Sequence, residues 1–354
     1  KSRTDLKWAG HDIISMAWNA DWPVKSSSTG KYAKYNVAMA VYKSKGGEIV
    51  YGTIQDELNG MQMENVDRMP IPSGEIVDMY MNRYCIIIAM GGIGLDCHLF
   101  VYYSHSDSAP LPHAFKSWLI SGQKKLRVLK AGNIIHAEKN WLYYINTKEE
   151  VTYADLNSEN LSTGHIKFHL PPGDRLQCMA VLNDIVYVGT ESGVIYRKDI
   201  EKGRETSLMD GSFPVSALRV VSECIVFAKI DDEYKGDETI TLHVASTHLQ
   251  KKDKIVVTQC KTCIINILPV EVNVQGNKKS NTFAMILVPN GDRDRLPVYY
   301  FNGSSLQSVL LFEGWWRGVQ VVCAKSTPLG SLVLGTPQGN RLAIGRLSAL
   351  RLFN

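Results

Sequence analysis

The feature that most constrains the fold is the succession of short apolar runs along the whole chain. Each run has four to eight residues, is rich in Val, Ile, Tyr and Leu, and is bounded by Gly, Asn, Asp, Ser or Lys. Helical periodicity is almost absent, apart from two stretches, near 113–120 and 204–210, where short turns are expected. Short apolar runs between turn residues are typical of β-strands. The sequence therefore predicts an all-β protein.

The predicted strands fall into seven groups of three or four. The groups comprise 12–18, 36–42 and 48–53; 75–80, 84–90 and 98–103; 126–130, 134–138, 141–145 and 151–155; 176–181, 185–190 and 194–200; 215–220, 224–229, 239–246 and 255–259; 263–268, 282–288, 297–301 and 308–312; and 319–324, 331–335 and 341–347. A β-propeller blade is a four-stranded antiparallel sheet of about 40–50 residues, so seven blades need about 280–350 residues. The chain has 354 residues. We therefore predict a single seven-bladed β-propeller domain over 1–354, and expect a fragment of a longer protein because no Met opens the chain.

Two segments that lie three groups apart indicate a repeated unit. Residues 185–196 and 331–342 both read as an apolar run, Gly-Thr, two turn residues, Gly and a second strand. Gly335 follows Gly189 by 146 residues, or about 49 per group, which is a blade length. A tight hairpin favours a positive φ at Gly193 and Gly339, and the small Gly-Thr pair lets neighbouring backbones approach.

Residues 188–199 resemble the second and third strands of a WD40 repeat. In that family an aromatic residue followed by Asp closes the third strand, and here Tyr196 stands near the aromatic position while Asp199 is displaced. The family's Gly-His pair is missing throughout the chain. The resemblance is to a divergent WD40-like β-propeller. It implies an intracellular adaptor subunit, as in ubiquitin-ligase substrate receptors, chromatin or transcription complexes, nuclear-pore parts and trafficking coats.

The charge of the chain is nearly balanced, with 39 Lys and Arg against 35 Asp and Glu and a net charge of +4. A dedicated nucleic-acid binder usually shows a basic excess or a basic stripe. The basic clusters at 124–130, 251–254 and 278–279 are small and are predicted to be solvated loops, so nucleic acid is a less favoured partner. No run of 18 apolar residues exists, so no membrane insertion is expected.

The seven cysteines are odd in number, and most lie inside apolar strand-like runs. Buried free thiols have this placement, whereas a secreted disulfide framework has an even count. The pattern predicts a reducing compartment, and therefore an intracellular protein, nuclear or cytoplasmic.

Motifs that carry chemistry are missing. Cys260 and Cys263 form the only Cys-x-x-Cys pair, and no second pair completes a zinc site. No His-Glu-x-x-His, Gly-x-Ser-x-Gly or Walker motif is present. Residues 91–94 are Gly-rich but connect two predicted strands, so no helix N-terminus is available for a phosphate. We expect no catalytic, cofactor-binding or metal-binding residues, and no enzyme activity.

The most suggestive binding segment is Gly-Trp-Trp-Arg-Gly at 314–318. Trp and Arg are enriched in binding hot spots. In the WD40-like fold, the loop between the second and third strands reaches the same face as the loop that precedes each blade. The predicted partner-binding residues are Trp315, Trp316, Arg317, Glu191, Ser192, Pro337 and Gln338. The acidic stretch 231–238 is predicted to be a solvated loop, with electrostatic contact to a basic partner as its functional alternative.

Since loops on a rigid scaffold carry function, we expect a non-catalytic protein-interaction scaffold or adaptor within a larger assembly. One alternative is a propeller enzyme or lectin of the secretory pathway, using the sequons at Asn160 and Asn302. The other is a propeller that contacts nucleic acid through the basic cluster at 124–130.

Overall fold

A computed structural model describes the backbone of the strands named below and the side chains of part of the chain. The residues with described side chains are 79, 87, 88, 141–146, 148–155, 163–209, 213–220, 223–229 and 241–250. The chain divides into two compact units, one of residues 1–124, 271–279 and 319–354, and the other of residues 125–270 and 280–318.

In the first unit the described strands form three antiparallel sheets of four strands each. The strands are β1 (Thr4–Leu6), β2 (Asp12–Trp18), β3 (Tyr32–Lys43), β4 (Gly46–Glu57), β5 (Gly60–Pro70), β6 (Glu75–Met81), β7 (Cys85–Gly91), β8 (Cys97–Ser104), β9 (Phe115–Ile120), β26 (Cys323–Ser326), β27 (Ser331–Gly335) and β28 (Leu342–Arg346). Two sheets follow chain order, β2 to β5 and β6 to β9. The third has the order β1-β28-β27-β26, so the first strand of the chain completes the sheet of the last three.

In the second unit the described strands form four more such sheets, each in chain order, β10–β13, β14–β17, β18–β21 and β22–β25. Their bounds are β10 (Ile135–Glu138), β11 (Trp141–Ile145), β12 (Val151–Asp155), β13 (Thr163–Ile166), β14 (Leu176–Leu182), β15 (Ile185–Thr190), β16 (Val194–Asp199), β17 (Glu205–Met209), β18 (Val215–Val221), β19 (Cys224–Asp231), β20 (Glu238–Ser246), β21 (Lys251–Cys260), β22 (Asn266–Asn273), β23 (Ser280–Leu287), β24 (Pro297–Phe301) and β25 (Leu306–Leu310). The last three residues of β22 fall within the bounds of the first unit.

The all-β prediction is confirmed for the residues that the structure describes, and each predicted group of strands corresponds to one sheet. The expectation of short turns near 113–120 and 204–210 is wrong, because these stretches form β9 and β17, the fourth strands of their sheets. The fourth strand of the β10–β13 sheet is 163–166, and the predicted strand at 126–130 lies outside the described residues. The single-domain assignment stays a prediction.

A β-bulge recurs at the start of the first strand in four sheets. The pairing register shifts by one residue at position 14 in β2, 77 in β6, 177 in β14 and 216 in β18. A bulge adds one residue to one strand and increases the local twist. Its recurrence at one place supports a repeated structural unit in these four sheets.

Burial falls steadily from β14 to β17. The apolar runs that mark a strand in the sequence therefore become less distinct from the first strand of the sheet to the fourth. Six of the seven residues of β14 are buried, whereas β17 has no buried residue and exposes Met209. The strands nearest the core pack against β18 and β19 in one cluster, whose buried residues are Cys178, Ala180, Tyr187, Ile195, Val215, Leu218, Ile225, Phe227, Ala245 and Leu249.

Two glycine predictions for the β15–β16 hairpin can be compared with the structure. Gly193 has a φ of 88°, as predicted for the tight turn. At Gly189, a Cβ atom would lie 2.6 Å from Cγ1 of Val215 and 2.8 Å from Sγ of Cys178. The close approach that requires glycine is therefore made by side chains of β18 and β14 rather than by a neighbouring backbone. Gly339 lies outside the described residues.

Candidate functional site

Three connections of the second unit lie together and carry two of the predicted binding residues. They are the β11–β12 turn (146–150), the segment that precedes β14 (171–175) and the β15–β16 turn (190–194), and we call them the turn cluster. Glu191 and Ser192 are exposed at its surface. The other predicted binding residues, Trp315, Trp316, Arg317, Pro337 and Gln338, lie outside the described residues.

Asp174 fixes the β15–β16 turn from the segment that precedes β14. Its Oδ1 accepts a hydrogen bond from the Ser192 N–H at 3.0 Å, and its Oδ2 accepts one from Ser192 Oγ at 2.6 Å. Ser192 Oγ also lies 3.0 Å from Oγ1 of the buried Thr190. The Glu191 N–H donates to the carbonyl oxygen of Arg175 at 2.9 Å. The exposed residues of the turn therefore stand on a framework of short polar contacts.

Glu149 connects the neighbouring sheet to the same place. Its Oε2 accepts a hydrogen bond from the N–H of the buried Leu176 at 2.8 Å, at the first residue of β14. Glu149 has a φ of 58°, in the left-handed region that non-glycine residues rarely adopt. Such strain persists only where the surroundings hold it, and here the carboxylate is held by the start of the next sheet.

Lys229 connects the sheet on the other side. This residue lies near the end of β19, and its side chain is only 2% exposed. Its Nζ donates a hydrogen bond to the carbonyl oxygen of Gly193 at 2.8 Å. The turn cluster is thus held by side chains from three consecutive sheets, with β14–β17 in the middle.

The turn cluster brings three carboxylates close to one another. Burial raises the pKa of the Glu149 carboxyl, and the carboxylates of Glu191 and Asp174 raise it further, against the opposing hydrogen bond from Leu176. Burial also raises the pKa of Tyr196, with Asp174 as the next contribution. The same cluster exposes the cations Lys148 and Arg175, so its surface presents charges of both signs beside hydrogen-bonding turns, an arrangement suited to contact with charged or polar groups. Among the residues that the structure describes, no group of three or more His, Cys, Asp or Glu could hold a metal ion.

A second polar cluster lies on the outer strands, near Arg197 and Lys198. Lys198 Nζ donates to Oε2 of Glu205 at 3.1 Å and to the carbonyl oxygen of Lys167, and it lies 5.6 Å from the ring centre of Phe168. His169 binds the same carboxylate through both its N–H and Nδ1, each at 3.1 Å. Burial alone would raise the pKa of Glu205, but these hydrogen bonds outweigh it and lower the pKa. The charges of Lys198 and Glu205 therefore compensate each other within the protein.

Sequence reasoning missed Asp174, Glu149 and Lys229. Asp174 had a local signal, because it ends a Pro-Pro-Gly-Asp turn two residues before the first residue of β14. Glu149 and Lys229 make hydrogen bonds with residues that lie 27 and 36 positions away in the chain, and nothing in their local sequence indicates these partners.

Comparisons with known proteins inform the fold. No protein-family model matches the sequence, and neither does any curated protein. In the described part of the chain, no helix has the length and apolar character needed to cross a membrane.

Three solved structures resemble the chain over nearly its whole length. A chain from the crystal structure of the mitotic checkpoint complex is 10% identical, with a TM-score of 0.62 over 98% of this chain and 95% of that chain. The N-terminal domain of Nup159 is 9% identical, with a TM-score of 0.55 over 96% and 90%. The computationally designed Ika8 protein is 10% identical, with a TM-score of 0.52 over 96% and 98%. The first two are WD40-type propeller proteins, so the likeness supports a β-propeller fold.

Proposed function

We propose that the chain is a non-catalytic protein-interaction scaffold, a seven-bladed WD40-like propeller that serves as an adaptor subunit of a larger assembly inside the cell, in the nucleus or the cytoplasm. The observation that carries this proposal is the turn cluster, in which Asp174 and Lys229 bind the turn that exposes Glu191 and Ser192, and Glu149 binds the start of β14 beside it. Binding is tighter when the contact residues need no ordering. A surface fixed in this way suits recognition of another protein.

The structural comparisons support the same class of function. One neighbour is a chain of the mitotic checkpoint complex, which is an assembly of proteins. The predicted contact residues are Glu191 and Ser192 in the turn cluster, together with Trp315, Trp316, Arg317, Pro337 and Gln338 from the sequence.

A charge reversal in the turn cluster tests the proposal. Glu191→Arg changes an exposed side chain, and the backbone hydrogen bond of residue 191 is kept. Glu201→Arg is a matched control, because Glu201 is also exposed but lies on the β16–β17 turn, at the opposite end of the same sheet. Each variant of the full chain is used to capture partners from cell extract. The captured proteins are identified by mass spectrometry, and the purified partner is then titrated against each variant.

We expect Glu191→Arg to bind the purified partner with an affinity lower by about tenfold or more, since a close like-charge contact costs on the order of 1–2 kcal/mol or more. Glu201→Arg should bind and unfold as the unmodified chain does, and Glu191→Arg should unfold at the same midpoint or a higher one, because it removes a carboxylate that disfavours ionised Glu149. Equal retention of every partner by folded Glu191→Arg would contradict the placement of the binding surface on the turn cluster. Failure of the unmodified chain to retain any protein would contradict the scaffold role itself.

A further inference from the structure

Strand β19 carries a residue that its apolar surroundings do not explain. Residues 224–228 of this strand are buried and read Cys-Ile-Val-Phe-Ala, and the next position is Lys229, which is equally buried. Burying an amino group is unfavourable unless it makes hydrogen bonds. An apolar side chain of the same length would fill this space without that cost. The lysine does make a contact that an apolar side chain could not make, because its Nζ donates a hydrogen bond to the Gly193 carbonyl oxygen at 2.8 Å.

That carbonyl belongs to the peptide unit that ends the β15–β16 turn. The same unit contains the Val194 N–H, which donates to Thr190 Oγ1 at 3.1 Å. Both polar groups of one peptide plane are thus held, its N–H by the turn's own sheet and its C=O by the next sheet. Gly193, with a φ of 88°, has no Cβ to resist rotation of this plane. The two hydrogen bonds supply the restraint that a side chain would otherwise give.

We infer that Lys229 is a positioning residue for the β15–β16 turn, which it holds in the conformation that presents Glu191 and Ser192. The inference rests on the proposed function only where it links this conformation to partner binding. Further polar contacts of the turn come from its own sheet or from the segment that precedes it, through Asp174, Arg175 and Thr190. Lys229 gives the turn a contact with the following sheet.

The test replaces the amine and keeps the stem. Lys229→Met in the full chain removes the donor at nearly constant volume, and hydrogen–deuterium exchange read by mass spectrometry reports on residues 190–194. Ile225→Ala is the matched control, because Ile225 is fully buried in the same strand but lies at the opposite end, paired with Val220 and Ala245. Should Lys229→Met fail to fold, Lys229→Gln, which keeps a donor on a shorter stem, takes its place.

We expect exchange over residues 190–194 to rise about fivefold or more in Lys229→Met, the factor that corresponds to one lost hydrogen bond. Ile225→Ala should leave the exchange of residues 190–194 unchanged when its free energy of unfolding falls as much as that of Lys229→Met. Retention of the captured partner should fall in Lys229→Met and hold in Ile225→Ala. If both variants change the turn's exchange to the same extent, or neither changes it, Lys229 is an ordinary packing residue and the inference is overturned.

The outcomes separate this inference from the proposed function. In one outcome, the turn exchanges faster in Lys229→Met, but both this variant and Glu191→Arg retain the partners. This result would support the positioning role of Lys229 and contradict a role of the turn in binding. Loss of the partner in Glu191→Arg, with unchanged exchange in Lys229→Met, would support the binding surface and overturn the role of Lys229.

Discussion

Glu149 combines backbone strain, a hydrogen bond and an unfavourable charge, and three substitutions at this position separate the three effects. Its φ of 58° is unfavourable for a residue with a Cβ. Its Oε2 accepts from the N–H of buried Leu176 at 2.8 Å. Its pKa is raised above the ordinary 4.5 by burial and by the carboxylates of Glu191 and Asp174.

Each substitution has its own expected effect on the free energy of unfolding. Glu149→Ala removes the acceptor and leaves a buried N–H without a partner, which should cost about 1–3 kcal/mol. Glu149→Gly loses the same acceptor but relieves about 1–2 kcal/mol of left-handed strain, part of which is offset by the greater freedom of glycine in the unfolded chain. The glycine variant should therefore be more stable than the alanine variant by about 1 kcal/mol.

Glu149→Gln keeps an acceptor for Leu176 and removes the charge. A carboxyl with a raised pKa in the folded state is disfavoured there in its ionised form. The free energy of unfolding therefore falls as the pH rises from the pKa of the unfolded chain to that of the folded protein. The glutamine variant should therefore match the unmodified protein near pH 4 and exceed it in stability near pH 7.

The assay is urea unfolding followed by tryptophan fluorescence, at several values between about pH 4 and pH 8. A glutamine variant as unstable as the alanine variant at neutral pH would refute the argument that the acceptor matters more than the charge. A glycine variant no more stable than the alanine variant would refute the strain argument. If the difference in free energy of unfolding between Glu149→Gln and the unmodified protein does not vary with pH, the electrostatic argument is refuted.

Three further predictions concern packing, thiol chemistry and binding. Gly189→Ala should destabilise the chain by about 1–3 kcal/mol through overpacking, because its Cβ would lie 2.6 Å from Val215 Cγ1. Adding Val215→Ala should recover part of this loss in urea unfolding. If the losses of the two substitutions simply add, the clash is contradicted. Burial raises the pKa of the Cys178 thiol to about 12, so a thiol reagent should label it only after denaturation, and rapid labelling of the native protein would count against its burial. From the sequence, a Trp315→Ala, Arg317→Ala double variant should stay folded and bind its partner roughly thirtyfold less tightly, the effect of losing about 2 kcal/mol; titration with the purified partner tests this, and unchanged binding would remove these residues from the proposed contact surface.

The inner strands could be predicted from the sequence because burial gives them a clear signal. Residues of β14, β15, β18 and β19 are buried in nearly continuous runs, so their apolar residues mark their positions. The outermost strands have no such signal. Strand β17 reads Glu-Thr-Ser-Leu-Met with no buried residue, and only its pairing with β16 identifies it as a strand.

Strand β1 could not be predicted for a different reason. It has three residues and pairs with β28 at the far end of the chain, with Thr4 opposite Ile344 and Leu6 opposite Leu342. A local pattern contains no information about such a distant partner. The same holds for the turn cluster, where the Gly-Thr-x-x-Gly pattern located Glu191 and Ser192 but could not show which side chains of neighbouring sheets hold them.

The two ends of the β14–β17 sheet are stabilised in different ways, and the difference bears on function. At the end opposite the turn cluster, the β14–β15 hairpin is a two-residue turn with positive φ at Asn183 and Asp184, and the Asp184 carbonyl accepts from the Ile200 N–H at 3.0 Å. That end also uses side chains, since Asp199 Oδ1 accepts from the N–H groups of Glu201 and Lys202, but the residues in these contacts are exposed or half-buried. The turn cluster differs in having an almost fully buried amine from a neighbouring sheet, Lys229, which costs more to bury than backbone contacts do. Fixing one residue's backbone costs about 1–2 kcal/mol, so a partner that contacts an already ordered turn avoids that cost at every residue it touches. Under the proposed function, the polar contacts that are costly for folding lie where order before binding increases affinity.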